Sequence, residues 1–408
     1  PHIDSLAADG MRFTDAHAPG SVCVPSRYGL LTGRYPARRR RFMPGREAVI
    51  RADTPTIAHS LGERGYHTAM VGKWHLGMDF PGEAGSRDWT QPVRDMPLDK
   101  GFDYFFGIPA SLNYGVLAWF EGRYAKVPPT LFTAKKPNSR HVDYRLKPPY
   151  QDTPEETRRA LGKRGMEVAP DFVDNQCLTR FTDKSIQWMR DQADDAKSGK
   201  PFFLYLPLTS PHYPVCPLPE FHGMGQCGGY GEFVIETDHH VGRILRFLKE
   251  SGLDDNTMIV FSSDNGPENS WRQRIQDFDH RSNGPFRGGK RDIYEGGHRV
   301  PFFVRWPSGV QHPGRSYNGL VCQTDLLATF AELLECELDS GAGEDSQSFA
   351  SVFMDATSLQ QRLPLISHDA RGRFSITDGR WKLVSKYPGD WELYDMVRDR
   401  TELNDLAV

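Results

Sequence analysis

Residues 54–77, TPTIAHSLGERGYHTAMVGKWHLG, place a helix, a tight turn and a strand in direct succession. Thr54-Pro55 is typical of a helix start and Gly65 of a helix end, which predicts a helix over about 54–64. The apolar run at 66–71 follows at once and predicts a buried strand. A helix that leads straight into a buried strand is the repeating unit of α/β proteins, so this stretch indicates the fold class.

The same order of helix and strand occurs at three other places in the chain. The predicted pairs are 3–9 with 11–14, 172–192 with 202–206, and 231–250 with 258–261. Apolar strands separated by helices predict an α/β sheet with helices on both of its faces.

Two regions interrupt this alternation. Residues 111–165 are rich in Pro, Lys, Arg and Tyr, and we expect a long surface excursion there. Residues 342–408 contain short apolar runs between Gly and Asp residues, which predict a small antiparallel sheet with a helix. The expected organisation is therefore a large α/β domain over 1–341 and a small α+β subdomain over 342–408.

The composition limits the classes of partner. The 408 residues carry a formal net charge of −3, so no global basic field favours nucleic acid. The run at 38–41, four arginines, is better explained as a solvated loop than as a polyanion contact. No stretch approaches the roughly 20 apolar residues of a membrane span. Of the six cysteines, Cys216 and Cys227 are compatible with a local disulfide or with buried thiols.

The motif Cys23-Val24-Pro25-Ser26-Arg27, with Leu31-Thr32-Gly33 downstream, carries the most specific chemical signal. Pro25 suits the first turn of a helix and Gly33 its end, so Cys23 is expected at a helix N-terminus, where backbone N–H groups favour an anion. Arg27 lies about one turn further on and can reach the same anion. A lone cysteine in this position would be read as a buried thiol.

Together these residues resemble the signature of the formylglycine-dependent sulfatases, which have the alkaline phosphatase fold. The resemblance covers nearly the whole chain. It implies an alkaline-phosphatase-like mixed sheet, and it implies that a formylglycine-generating enzyme oxidises Cys23 to an aldehyde. The hydrate of that aldehyde attacks sulfur in this family.

Two further motifs follow predicted strands, at the edge where ligand crevices of α/β sheets form. Gly72-Lys73-Trp74-His75-Leu76-Gly77 matches the family's segment, and alternation puts Lys73 and His75 on one side. Ser210-Pro211-His212 follows the strand at 202–206 and resembles the family's second active-site histidine.

Asp264-Asn265-Gly266 ends the strand at 258–261. Carboxylate and amide oxygens suit a hard cation such as Ca²⁺, and an Asx turn is the alternative interpretation. The resemblance favours the metal site, with Ca²⁺ as the ion and Mg²⁺ as the alternative. It also gives Lys290, in Gly288-Gly289-Lys290, the role of a substrate-binding lysine, while Glu295 to Arg299 are expected to shape the following strand.

The family's cation site also uses two adjacent aspartates on a first strand, just upstream of a Pro-x-Ile-Asp-x-Leu helix. Here that helix is residues 1–6 and opens the chain, and the pairs Asp194-Asp195 and Asp254-Asp255 are typical of solvated surfaces. The resemblance therefore implies that half of the cation ligands and a central strand are missing, as in a truncated gene. Weak cation binding is the expected consequence, the activity that the resemblance implies is expected of the complete enzyme, and whether the chain as given is active stays open.

For the complete enzyme the resemblance implies hydrolysis of sulfate monoesters, with sulfated carbohydrates as the expected substrates and aryl sulfates as their proxy. The residues that would neutralise the sulfate oxygens are Arg27, Lys73 and Lys290. His212, together with Lys290, would protonate the leaving alcohol, and His75 would deprotonate the second hydroxyl. Aromatic and basic residues that could line a sugar site, or pack in the core, are Trp89, Trp119, Arg123 and Tyr124.

Two alternatives remain at this point. One is a phosphonate or phosphate monoester hydrolase of the same superfamily, because a similar set of cations suits those anions. The other is a non-catalytic binder of sulfated glycans, motivated by the missing aspartates. The resemblance also implies export to the periplasm, the exterior or the lysosome, and no oligomeric state follows from the sequence.

Overall fold

The computed structural model describes residues 1–39, 48–113, 115–134, 150, 152–154, 156, 160, 165–354, 362–387 and 389–407. The chain forms two compact units. The first consists of Pro1–Phe42, Thr54–Ile57 and Asp254–Val408, and the second of Met43–Asp53 and Ala58–Leu253. The division into a domain over 1–341 and a subdomain over 342–408 stays a prediction.

The described helices range from one turn to six turns in length. They are α1 (His2–Ala8), α2 (Cys23–Thr32), α3 (Ile57–Gly62), α4 (Cys177–Asp191), α5 (Ala193–Lys197), α6 (Gly228–Glu250), α7 (Trp271–Phe278), α8 (Glu295–His298) and α9 (Leu326–Leu333).

The described strands are mostly short. They are β1 (Met11–His17), β2 (His67–Lys73), β3 (Tyr104–Ile108), β4 (Val116–Leu117), β5 (Phe120–Glu121), β6 (Tyr124–Ala125), β7 (Leu131–Ala134), β8 (Gly165–Val168), β9 (Phe202–Tyr205), β10 (Ile259–Ser262), β11 (Phe302–Arg305), β12 (Arg315–Cys322), β13 (Leu365–His368), β14 (Phe374–Thr377), β15 (Trp381–Tyr387) and β16 (Asp390–Asp395).

A mixed four-stranded sheet forms the centre of the first unit, in the order β10-β11-β1-β12. Strand β1 runs antiparallel to β11 and parallel to β12. Its Phe13 side chain is buried and makes edge contacts with Phe302 and Phe349, at centroid distances of 5.2 and 5.4 Å. The strand extends to His17, three residues beyond the prediction, because β12 supplies a partner along its whole length.

The second unit contains a mixed five-stranded sheet in the order β6-β5-β3-β2-β9. Strand β2 is parallel to both of its neighbours, β3 and β9, so their carboxyl ends share one edge. Helix α4 packs on β2 and β3, and its buried Phe181 ring makes an edge contact with Phe106 of β3 at a centroid distance of 6.4 Å. The opening stretch, 54–77, thus forms a helix and a buried parallel strand, as predicted.

The predicted C-terminal sheet is confirmed as the antiparallel meander β13-β14-β15-β16. In the described part of 342–408, the helix expected beside it is represented by the short 3-10 segment Ala350–Met354. The mixed α/β fold with a small antiparallel C-terminal sheet is therefore as predicted.

Some predictions lie partly or wholly outside the described residues. Of the excursion at 111–165, residues 114, 135–149, 151, 155, 157–159 and 161–164 are not described. Arg40 and Arg41 are also outside, while Arg38 forms an ion pair with Asp345 at 2.6 Å, which is consistent with a solvated loop. None of the described helices combines the length and the apolar character that crossing a bilayer requires.

A buried charged cluster ties β15 to the segment that precedes β11. The Lys382 ammonium lies 2.8 Å from Glu295 and 2.7 Å from Glu402, and all three side chains are inaccessible to solvent or nearly so. His298 lies beside them, with Nδ1 2.9 Å from Nδ1 of His17 and Nε2 3.0 Å from the carbonyl oxygen of Ile293. The segment 295–299 therefore shapes the fold, as expected from the sequence.

Burial, together with the neighbouring Lys382 ammonium, holds the pKa of His298 well below the ordinary histidine value of 6.5. The folded protein keeps this imidazole neutral, whereas in the unfolded chain it gains a proton below about pH 6.5. The stability that this site contributes is fully present above pH 6.5 and is lost as the pH falls below that value.

We expect the thermal stability of the wild type to fall more steeply than that of His298→Gln as the pH is lowered below 6.5. The slopes should differ by up to about 1.4 kcal/mol per pH unit, the value for one proton. Calorimetric unfolding over this range measures the difference, with His312→Gln, at an exposed histidine of the same unit, as the control. Equal slopes for the wild type and His298→Gln would contradict a neutral buried imidazole.

Candidate active site

Cys23 is the first residue of α2, as the motif predicts. Val22 before it is extended, with φ −145°, and the helix ends at Gly33, whose φ of 63° lies in the left-handed region. The Ser26 hydroxyl donates to the carbonyl oxygen of Gly20 at 2.7 Å and fixes the turn that leads into the helix. The Cys23 side chain is buried at the positive end of the helix, a position that favours a negative charge.

Arg27 connects this helix to the end of β10. Its Nε donates to Oδ2 of Asp264 at 2.9 Å, and the guanidinium is almost wholly buried. Since the strand ends at Ser262, Asp264 lies in the loop directly after it. The predicted cation ligand and the predicted anion-binding arginine are thus in direct contact.

Asn265 fits the role of a cation ligand. Its Nδ2 donates to the carbonyl oxygen of Gly266 at 2.8 Å, while its buried Oδ1 has no hydrogen-bond partner among the described residues. An orphaned amide oxygen beside a carboxylate suits a hard cation. Asp264 and Asn265 are only two residues, whereas Ca²⁺ takes about six to eight oxygen ligands.

The loop that carries these two residues is tightly packed. A Cβ on Gly266 would lie 1.8 Å from the carbonyl oxygen of Gly296, so only glycine allows this approach. Gln323, which the sequence reasoning missed, donates from Nε2 to Ser262 Oγ and to the Ser263 carbonyl at 2.8 and 2.7 Å. Its position directly after β12, another strand end, was the available signal.

Lys290 is buried and belongs to the same group of residues. Its backbone N–H donates to the carbonyl oxygen of Pro267 at 2.9 Å, and its Nζ lies 3.4 Å from Oε2 of Glu268. Burial lowers the pKa of Lys290, but the nearby Cys23, Glu268 and Asp264 outweigh it, and the net shift is upward. The ammonium is therefore charged and close to Cys23 and Asp264.

Glu268 and Arg291 are functional candidates that the sequence reasoning missed. Both guanidinium Nη atoms of Arg291 bond to the carboxylate of Glu268, which also faces Lys290. Burial raises the pKa of Glu268, but Arg291 and Lys290 outweigh it and lower the value to about 2. The only sequence signal was proximity, since Glu268 follows Asn265 by three residues and Arg291 follows Lys290.

In the second unit, Lys73 is the last residue of β2 and is buried. Its N–H donates to the carbonyl oxygen of Pro207 at 2.9 Å, and Gly72 makes this approach possible. Gly72 has φ 137°, and a Cβ there would lie 2.2 Å from that same oxygen. His75 is held in the left-handed region, with φ 62°, and donates its N–H to the Pro109 carbonyl at 2.8 Å.

His212 lies in the loop that follows β9. Its Nδ1 is 2.8 Å from the carbonyl oxygen of Tyr213. A carbonyl only accepts, so Nδ1 carries the proton and Nε2 is the nitrogen that exchanges one. The Thr237 hydroxyl on α6 donates to the Phe233 carbonyl and accepts from the Ser210 hydroxyl, 2.6 Å away, which anchors the start of this loop.

The structure does not support Trp119 as a sugar platform. Its ring is buried and stacks on Phe172 at 4.6 Å, so the core interpretation is confirmed. Arg123 pairs with Asp99 at 2.6 Å, and the Tyr124 side chain is exposed. Trp89 is half-buried against Phe80 and Phe120.

Cys216 and Cys227 are both buried and carry thiols.

The predicted site residues fall into two sets. The first unit brings together Cys23, Arg27, Asp264, Asn265 and Lys290. The second unit has Lys73 as the last residue of β2, His75 just after it, and His212 in the loop that follows the adjacent parallel strand β9. Each set combines cationic groups with groups able to transfer a proton or bind an ion, as an anionic ester requires.

Comparison with known proteins identifies the family of this chain. The family model described as Sulfatase matches residues 1–336, and one described as N-sulphoglucosamine sulphohydrolase, C-terminal, matches residues 286–408. An N-acetylgalactosamine-6-O-sulfatase of Bacteroides thetaiotaomicron is 32% identical, over 100% of this chain and 84% of the relative. Human arylsulfatase A is 30% identical, over 94% of this chain and 69% of the relative.

A solved structure shows the same similarity in three dimensions. It is described as part of the metabolism of multiple glycosaminoglycans by Bacteroides thetaiotaomicron, and it has a TM-score of 0.83 and 29% identity. The match covers 100% of this chain and 90% of that chain. The chain therefore belongs to the sulfatase family.

Proposed function

We propose that this protein hydrolyses sulfate monoesters and that residue 23, after conversion of Cys23 to formylglycine, is the nucleophile. The observation that carries the proposal is the grouping of Cys23, Arg27, Asp264 and Lys290 around the start of α2. A helix N-terminus and two buried cations can together neutralise a sulfate ester.

Sulfate transfer favours an aldehyde hydrate over an ordinary hydroxyl at this position. One hydroxyl of the hydrate attacks sulfur, the bond from sulfur to the leaving oxygen breaks, and a sulfate ester of residue 23 remains. The second hydroxyl then loses its proton, the C–O bond to sulfate breaks, and the aldehyde is restored with release of sulfate. A serine could form the ester but lacks the second hydroxyl that releases it.

The charged side chains have separate roles in this reaction. Arg27 and Lys290 neutralise sulfate oxygens as negative charge shifts from the nucleophile to the leaving group. By its family resemblance, Lys73 contributes a third cation. Their burial strengthens each interaction, because little solvent screens the charges.

We assign the proton transfers to the two histidines. His212 donates from Nε2 to the leaving alcohol oxygen, since its Nδ1 proton is committed to the Tyr213 carbonyl. Lys290 can assist as a second donor. His75 removes the proton from the second hydroxyl, and its constrained backbone, with φ 62°, is consistent with a functional position.

Asp264 and Asn265 would hold the divalent cation, for which Ca²⁺ is our first choice and Mg²⁺ the alternative. When bound, it would polarise the sulfate group and favour the deprotonated nucleophile. The orphaned Oδ1 of Asn265 supports this assignment.

Sulfated carbohydrate is the proposed substrate class. The names of the similar proteins support it, because one is an N-acetylgalactosamine-6-O-sulfatase and a similar solved structure is described with glycosaminoglycan metabolism. We also propose that a formylglycine-generating enzyme is the maturation partner and that the protein is exported.

An aryl sulfate and the matching aryl phosphonate, assayed with protein whose oxidised residue 23 is confirmed, test the proposed reaction. We expect turnover of the sulfate to exceed that of the phosphonate, with loss of turnover in Cys23→Ala. Cys23→Ser should release at most one product molecule per enzyme, because its ester is not hydrolysed. Preference for the phosphonate would assign the other activity, and no turnover of either by the complete enzyme with oxidised residue 23 would favour glycan binding.

Arg27→Ala should lower kcat/KM for the aryl sulfate by about a hundredfold or more, because a charge that stabilises the transition state is removed. The protein should remain folded by calorimetry but unfold at a lower temperature, because a buried ion pair is lost while Asp264, 24% exposed, keeps contact with solvent. Arg12→Ala, at an exposed arginine of the same unit, is the control and should leave the activity unchanged. Unfolding of Arg27→Ala would show that Arg27 is structural.

A further inference from the structure

Glu268 lies between two cations of different exposure. Its Oε2 is 3.4 Å from Nζ of buried Lys290, and it also accepts from Nη2 of Arg291 at 3.0 Å. Its Oε1 accepts from Nη1 of the same arginine. The Arg291 side chain is 43% exposed and that of Lys290 only 4%. One carboxylate therefore links an inner cation near Cys23 to an outer cation that reaches solvent.

Two backbone hydrogen bonds fix the segments that carry Glu268, Lys290 and Arg291. The N–H of Lys290 donates to Pro267, the residue before Glu268, at 2.9 Å. The N–H of Arg291 donates at 2.8 Å to Ser21, two residues before Cys23. Arg291 adopts φ 80°, which is unfavourable for a residue with a side chain, and its two contacts hold it there.

A carboxylate at this place opposes the binding of an anion. With its pKa lowered to about 2, Glu268 is negative at neutral pH, and it faces the lysine that would bind sulfate. Simple electrostatics therefore predicts that Glu268 weakens substrate binding. A contribution to catalysis must come from what the carboxylate does to its neighbours.

We propose that Glu268 is a positioning residue that holds Lys290 against the nucleophile at residue 23 and fixes Arg291 at the rim of the same site. This role rests on the proposed function. Two carboxylates, Glu268 and Asp264, attract the Lys290 ammonium, and the Glu268 carboxylate lies 3.4 Å from it. Glu268 and Asp264 therefore compete for the ammonium.

Loss of the Glu268 charge would let Lys290 turn toward Asp264, away from the sulfate. An amide cannot replace the carboxylate, because it offers one oxygen and would direct its NH₂ group at a cation. Glu268→Gln is nearly isosteric and therefore separates charge from shape. Glu268→Asp keeps the charge but shortens the side chain by one methylene.

The test measures kcat and KM for an aryl sulfate, and the affinity for inorganic sulfate by calorimetry, in Glu268→Gln, Glu268→Asp and wild type. Mass spectrometry must show equal oxidation of residue 23 in all proteins. Glu344→Gln, at a half-exposed carboxylate of the same unit that pairs with Arg34, is the matched control and should behave as wild type.

We expect kcat of Glu268→Gln to fall about tenfold or more, with KM within about threefold of wild type, because a misplaced cation affects the transition state most. Sulfate should bind to Glu268→Gln about threefold more weakly, and Glu268→Asp should recover part of kcat. A lower KM and tighter sulfate binding in Glu268→Gln, with kcat unchanged, would overturn the positioning role. Equal losses in the Gln and Asp variants, with a matching fall in thermal stability, would also overturn it.

Failure of the proposed function gives a different result. If wild type with oxidised residue 23 hydrolyses no sulfate ester, the proposed reaction is wrong, and sulfate affinity alone then tests the positioning role. Weaker sulfate binding by Glu268→Gln would support it, and tighter binding would contradict it.

Discussion

The ion pair between Arg27 and Asp264 is the interaction on which the rest of the site depends. It joins the first turn of α2, which begins at Cys23, to the loop that ends β10. A buried arginine requires a carboxylate partner, and the strand end supplies one. Through this contact the proposed nucleophile, anion-binding cation and cation ligand are held by helix α2 and the loop after β10, and catalysis requires such fixed positions.

Close packing around the ion pair explains why glycines surround it. Gly266 lies against Gly296 with no room for a Cβ, which brings the segment before β11 onto the loop that carries Asp264 and Asn265. The same segment contains Glu295 and His298. Both side chains contact buried Lys382 in the C-terminal sheet. The small sheet is thus connected to the loop that carries Asp264 through the segment 295–297, whose Gly297 carbonyl accepts from the N–H of Gly266 at 2.8 Å.

Local patterns predicted much of the fold, and contacts distant in sequence explain what they missed. The helix and strand in residues 57–73 follow from turn residues and apolar runs, and the helix start at Cys23 follows from Pro25 and Gly33. Glu268 could not be identified in this way, because its proposed role depends on contacts with Lys290 and Arg291, which follow it in the sequence beyond helix α7. The Nδ1 contact of His17 with His298 likewise joins residues 281 apart, and Trp119 proved to be core because Phe172 covers its ring.

The central claim is that Cys23 is the precursor of the nucleophile and not itself the nucleophile. Mass spectrometry of the tryptic peptide 13–27, from protein made in cells that contain the formylglycine-generating enzyme, tests it most directly. We predict an aldehyde or its hydrate at residue 23, with sulfate-ester turnover proportional to the oxidised fraction across preparations. An unmodified thiol at residue 23 in a preparation that hydrolyses aryl sulfate at the full rate would contradict the claim.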